Sequence, residues 1–140
     1  MNDLYVNGRL TIPGAQLQAT YSRSGGPGGQ NVNKVNSKVT LRWRVRDNAL
    51  LDDAWRKRFE QQYGTRITKD GDIVLQSELT RDAPKNLEDA RQRLASMLRL
   101  TAVAPKKRKK TRPSRGAIER RLAGKRERSE RKKSRSWKGD

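Results

Sequence analysis

The chain has 140 residues, with 34 Lys and Arg against 15 Asp and Glu, a formal charge of +19, and neither cysteine nor histidine. That balance is the one expected of a polyanion binder, and the two absences exclude a disulfide framework, Cys-based zinc sites, a Cys nucleophile and a His base. Only 31% of the residues are hydrophobic, so one small domain with an appendage is expected rather than a core running through the whole length. No apolar run is long enough to span a bilayer. The opening "MNDLYVNGRLTIPG" has neither the apolar core of a signal peptide nor an Arg-rich amphipathic pattern, so a cytoplasmic protein without membrane association is expected.

In chain order, "LYVNGRLTIP" and "AQLQATYS" have partial alternation and β-branched content and read as the first two strands. In "KVTLRWRV", Val39, Leu41, Trp43 and Val45 alternate with Lys38, Thr40, Arg42 and Arg44, which predicts a third strand with one apolar and one basic face. Leu51, Trp55, Phe59 and Tyr63 recur every four residues behind Asp52 and Asp53, the pattern of an amphipathic helix with acids in its first turn, and Gly64 ends it. Asp70-Gly71 is a turn signal between Ile67 and a fourth strand containing Ile73. Asp82 is positioned to cap a second helix, with Pro84 in its first turn and Leu87, Ala90, Leu94, Met97 and Leu98 as a buried stripe up to Ala104. Both helical stripes read as core rather than as a cofactor box, and there is no internal repeat. The expected architecture is α+β: a small mixed or antiparallel sheet of about four strands packed on two helices.

Charge divides the chain. Residues 1–104 carry 17 basic and 11 acidic side chains, whereas 105–140 carry 17 basic and 4 acidic. Beyond "AVAPKKRKK" the large apolar side chains are Ile118, Leu122 and Trp137, too few to offset the entropy of ordering such a segment. The expected division is therefore a folded domain, 1–104, and a basic tail, 105–140, disordered when free. Ile118 and Leu122 are four apart and Glu127 precedes Arg131 by four, so residues 117–133 could become helical once a polyanion screens their repulsion. A merely solubilising or nuclear-localisation-like tail is the plainer alternative.

Between the second and third strands lies "SGGPGGQNVNKVNS". A flexible connector would explain its glycines. A phosphate cradle is a poorer fit, since neither G-x-x-x-x-G-K-[ST] nor G-x-G-x-x-G occurs. A third reading is that the glycines let the main chain enter a crowded RNA cleft and aim Gln30 and its N–H at a reacting group.

The stretch "SGGPGGQNVNKVNSKVTLRW" resembles the GGQ motif and following strand of the peptidyl-hydrolase domain in bacterial class I release factors. With one hairpin, one long helix and a basic tail containing "TRPSRGAIERRLAGK" after it, essentially the full length resembles the stand-alone hydrolases of the alternative ribosome-rescue factor B family. The resemblance implies hydrolysis of the ester joining nascent peptide to tRNA, in the large-subunit reaction centre of ribosomes stalled without a stop codon. It implies a catalytic loop of Gly28, Gly29 and Gln30. The Gln30 N–H would donate to developing negative charge, its side chain would exclude or position water, and the glycines would supply the backbone angles. Gln30 is no general base, because an amide does not titrate. Asn31, Asn33, Lys34, Asn36 and Ser37 would hold the loop and meet RNA. Family members often have His where Asn31 stands, and a water-and-backbone mechanism does not need that imidazole. No metal and no cofactor are called for.

By the same resemblance the tail replaces a codon-reading domain and enters the empty mRNA channel of the small subunit. Arg108, Arg112, Arg115, Arg120, Arg121, Lys125 and Arg126 are the expected RNA contacts, with Pro113 shaping the entry. The partners implied are the ribosome, its rRNA and peptidyl-tRNA, and a monomer is expected. Competing classes are a non-catalytic GGQ-domain ribosome component or assembly factor, a general basic RNA-binding protein or chaperone, which leaves the loop unexplained, and a free peptidyl-tRNA hydrolase, which would be expected to carry its own base.

Overall fold

The computed structural model describes residues 1–25 and 36–137. The chain begins with a small antiparallel hairpin of β1 (Leu4–Asn7) and β2 (Leu10–Ile12). The sequence pattern predicts a single strand here, and the structure has two. The turn at Gly8–Arg9 forms because Asn7 Oδ1 accepts from the backbone N–H groups of both Arg9 (2.9 Å) and Leu10 (3.0 Å), an Asx-type side-chain bond to the backbone two and three residues on. Leu4, Val6, Leu10 and Ile12 all face the core.

A second sheet follows, in the order β3 (Leu17–Ser22), β4 (Lys38–Arg44), β5 (Asp72–Ser77), with both pairings antiparallel. Cross-strand partners share a face, so the rows Leu17–Trp43–Ile73 and Ala19–Leu41–Leu75 form one apolar surface. Helix α2 (Ala83–Ala102) covers it with Ala90, Leu94, Ala95, Met97 and Leu98. Helix α1 (Asp53–Tyr63) packs against α2 and adds Trp55 and Phe59 to the same core. The expected α+β class holds, as three antiparallel strands plus a separate hairpin.

The ends of these helices follow from specific groups. Asp52 caps α1, its carboxylate accepting from Trp55 N–H at 2.7 Å. Gly64 ends α1 in right-handed helical geometry and passes into a short 3₁₀ turn, Gly64–Arg66. Asp82 occupies the N-cap position of α2, yet its side chain accepts no capping bond and lies instead 3.8 Å from the Lys85 ammonium. The carbonyls of Thr101 and Ala102 at the far end of α2 are met by Arg58 at 2.7 and 2.9 Å, and Val103 leaves the helix.

The chain divides into two compact units, Met1–Pro105 and Lys106–Asp140. In the second, Arg115–Trp137 forms a helix, α3, with no buried residue. This differs from the expected disordered tail and extends beyond 117–133. Local terms account for it. Ser114 caps the start, its hydroxyl accepting from Ala117 N–H at 3.3 Å; Arg115 pairs with Glu119 at 3.5 Å; and Arg131 pairs with Glu127. Arg, Lys, Glu, Ala and Leu, all good helix formers, fill most of its length.

The turn into β5 depends on Gly71, at φ +93°, whose carbonyl accepts from Val45 and Arg46 N–H at 2.9 and 3.1 Å. A Cβ at Gly71 would lie 2.3 Å from that of Arg46. Gly71→Ala is therefore expected to lower the unfolding free energy by about 1–3 kcal/mol in urea titration, with an unchanged m-value. A wild-type midpoint would contradict this account of the turn.

Candidate functional site

Strands β3 and β4 remain paired up to Ser22 opposite Lys38. Residues 23–37 therefore leave and re-enter the sheet at one end, from neighbouring strands about 5 Å apart. Gly28, Gly29, Gln30, Asn31, Asn33 and Lys34 lie outside the described residues. Of the remaining loop residues singled out in the sequence, Asn36 is exposed and Ser37 is buried, with 6% of its surface accessible. Of the two roles expected for these residues, holding the loop is the one that the burial of Ser37 fits.

What holds Ser37 is Asn86, fully buried in the first turns of α2. Its Nδ2 donates to the Ser37 carbonyl at 2.7 Å and to the Thr80 carbonyl at 2.8 Å. Its Oδ1 accepts from the Thr80 N–H at 2.9 Å and the Thr80 hydroxyl at 3.0 Å. All four bonding capacities of the amide are used, two as donor and two as acceptor, which neither Asp nor Leu can reproduce. Nearby, the Ser77 hydroxyl donates to Asp89 at 2.7 Å and Lys38 pairs with Glu78 at 3.7 Å. The return of the loop into β4 is thus tied to β5, the β5–α2 turn and α2 together. Sequence reading missed Asn86 and Thr80. The available signal was a polar residue one turn ahead of Ala90 and two ahead of Leu94, on the apolar stripe of α2.

The side of β4 away from α2 carries the expected polar face. Arg42 and Arg44 are exposed, with Thr40 half-buried, while Val39, Leu41, Trp43 and Val45 are buried. Arg44 pairs with Asp72 across the strands at 3.4 Å. In the second unit, Arg108, Arg112 and Pro113 precede α3, and Arg115, Arg120, Arg121, Lys125 and Arg126 lie on it, all exposed. At 100° per residue, Arg115, Arg120, Arg121 and Lys125 are spread around the helix rather than gathered in one stripe. Among the described residues, no helix is long and apolar enough to cross a membrane.

The RF-1 domain model matches residues 6–139. The chain belongs to the RF-1 domain family. Within it the relationship is to ArfB-like GGQ-domain proteins: the chain is 36% identical over 126 residues to peptidyl-tRNA hydrolase ArfB of Pseudomonas putida, covering 90% of this chain and 91% of that one. It is also 37% identical over 95 residues to large ribosomal subunit protein mL62 of Mus musculus, covering 68% of this chain but 46% of the mouse protein. A third relative, meiotically up-regulated gene 82 protein of Schizosaccharomyces pombe, is 37% identical over 92 residues, which is 62% of this chain and 49% of that one.

The amide clamp can be tested directly in this RF-1 domain. Asn86→Leu keeps the approximate volume but strands the carbonyls of Ser37 and Thr80 and the Thr80 N–H. Each stranded group costs about 1–3 kcal/mol unless water reaches it, so the variant should unfold well below the wild-type urea midpoint. Backbone amide exchange at residues 37–39 should accelerate more than at the α1–α2 contact. Wild-type stability and uniform exchange would refute the clamp.

Proposed function

We propose that this chain is a codon-independent peptidyl-tRNA hydrolase that rescues stalled ribosomes. The observation that carries the reading is the nearly end-to-end similarity to a protein named peptidyl-tRNA hydrolase, which spans the glycine loop, the sheet and the basic helix alike. The geometry agrees with it. The loop containing Gly28, Gly29 and Gln30 starts and ends at one edge of a sheet whose β4 root is clamped, so it can be presented to a target without rearranging the core.

In the proposed reaction, water attacks the ester carbonyl of peptidyl-tRNA. A bond forms from the water oxygen to the carbonyl carbon, and the bond from that carbon to the tRNA ribose oxygen breaks. The ribose oxygen leaves with a proton, and the peptide leaves as its acid. The chain has no histidine or cysteine to serve as base or nucleophile. Its contribution is positioning and charge stabilisation: the Gln30 N–H faces the developing oxyanion, its side chain limits where water can stand, and Gly28 and Gly29 allow close approach. Asn31, Asn33, Lys34 and Asn36 meet surrounding rRNA, while Ser37 anchors the loop.

The basic unit is the targeting element. Cations on all sides of α3 suit an enclosing polyanionic channel better than a flat surface, which supports insertion into the mRNA channel of the small subunit when no message fills it. On this reading Arg108, Arg112, Arg115, Arg120, Arg121, Lys125 and Arg126 contact RNA phosphates, Pro113 directs the chain into the channel, and the protein works as a cytoplasmic monomer. The similarity to a large-subunit ribosomal protein favours a second reading, a GGQ-domain ribosome component that does not hydrolyse.

Substitution in the loop separates the two readings. Gly28→Ala and Gly29→Ala should each reduce release of labelled peptide from stalled ribosomes by about a hundredfold or more, the order seen when an oxyanion donor is displaced. Ribosome binding should stay near wild type, and Gln30→Ala should lose less, since it keeps the N–H. Undiminished release by both glycine variants, or no release by the wild type, would overturn the hydrolase reading.

A further inference from the structure

A groove on the β5 side of the three-stranded sheet is lined by residues outside the loop and the tail. It has a volume of about 670 Å³ and its lining includes Arg42, Thr65, Arg66, Thr68, Gln76 and Arg93. Three arginines line it from three separate parts of the fold: Arg42 from the centre of β4, Arg66 from the 3₁₀ turn after α1, and Arg93 from α2. Arg93 is committed in part, donating to the Gln76 carbonyl at 2.8 Å and lying 3.6 Å from Asp89. Arg42 and Arg66 are exposed and have no ion pair among the described residues. The acid on the same face, Asp72, is occupied by Arg44 at 3.4 Å. Thr65, Thr68 and Gln76 line the groove with Arg42 and Arg66, the Thr68 hydroxyl accepting from Asp72 N–H at 3.2 Å, and Ile67, Val74 and Leu75 complete the lining.

We infer that this groove is a phosphate-binding site for an RNA backbone, separate from the glycine loop and from the basic helix. Planar guanidinium forks flanked by hydroxyl and amide donors match phosphodiester oxygens, and such contacts fix orientation without reading sequence. An open groove admits a continuous strand, whereas a small phosphate metabolite would call for an enclosed cavity. Position argues for the same occupant. Arg42 is four residues along β4 from Lys38, where the loop returns, hence about 13 Å from the loop root. This step rests on the reading that the loop enters the RNA-walled reaction centre of the large subunit: a loop inserted there brings the sheet face against rRNA backbone. The groove then sets the angle of the domain about its inserted loop, which contacts of the loop alone leave free.

Two binding measurements on the full-length protein test the site, and neither depends on catalysis. The double variant Arg42→Gln, Arg66→Gln should bind ribosomes several-fold more weakly, and its plot of log Kd against log salt should be shallower by about 1.5, as expected for two lost phosphate contacts. The control double variant Arg9→Gln, Lys57→Gln removes the same charge outside the groove and should keep most of the wild-type slope. Matching thermal midpoints establish that all variants are folded. Equal slopes for the groove pair and the control, or a wild-type slope for the groove pair, would overturn the inference. The occupant is identified with Thr65→Cys, a unique thiol in a chain without cysteine, carrying a photo-crosslinker. Crosslinks to rRNA are expected, and crosslinks confined to ribosomal proteins would overturn the assignment to RNA. A protein that crosslinks and shows the predicted slope but releases no peptide would fault the hydrolase reading alone.

Discussion

Strand β4 lies between β3 and β5, and its two-residue side-chain period constrains everything around it. Val39, Leu41 and Trp43 must face α2, because together they supply the centre of the apolar surface that Ala90, Leu94 and Leu98 cover. Thr40, Arg42 and Arg44 are thereby obliged to face the other way. A slip of one residue would drive two arginines into the core, at a desolvation penalty far above the net stability of a small domain, so the register is strongly specified. That register also fixes the point at which residues 23–37 leave the sheet. One strand thus decides core packing, the placement of the glycine loop and the presence of a basic surface beside it.

The loop root shows how a buried polar group can locate a segment where apolar packing could not. Hydrophobic contacts are indifferent to small sliding, whereas the Asn86 amide is satisfied only when Ser37 and Thr80 present their carbonyls at the right angle. The hydrolase proposal relies on such a fixed root, since charge stabilisation by a backbone N–H requires that donor to be in place before the reaction begins. Division of labour between the units follows the composition: the apolar stripes lie in Met1–Pro105, whereas α3 in Lys106–Asp140 exposes its cations on all sides.

The elements legible from the sequence were those governed by short-range periodicity. The alternation in β4, the stripes of α1 and α2 and the Asp70-Gly71 turn each involve neighbours within a few positions, and all appear as expected. The first hairpin reads from the sequence as one strand, because its strands are only four and three residues long and its turn is held by the Asn7 side chain. The Asn86 bond to Ser37 and the Arg58 bonds to the end of α2 join residues more than 40 positions apart, and no local pattern specifies such partners. Asp82 shows the converse: the right residue stood at the right position, and Lys85 took its carboxylate instead. In the tail, the Glu127–Arg131 spacing marks helix within 117–133, whereas the Ser114 cap and the Arg115–Glu119 pair, which carry the helix back to Arg115, are single polar contacts outside that pattern. As for the site, the GGQ tripeptide drew attention through glycine density, while the arginine groove depends on folding three distant segments together.

The central claim is that the protein acts on ribosomes whose mRNA channel is empty, and the most direct measurement compares three substrates for the same full-length protein. Labelled peptide release is followed on ribosomes with mRNA ending in the P site, on ribosomes with mRNA extending well past it, and on peptidyl-tRNA free in solution. The account predicts fast release from the first, progressively slower release as the mRNA is lengthened, and none above the spontaneous rate from the third. Release that ignores mRNA length, or that proceeds equally on free peptidyl-tRNA, would contradict it.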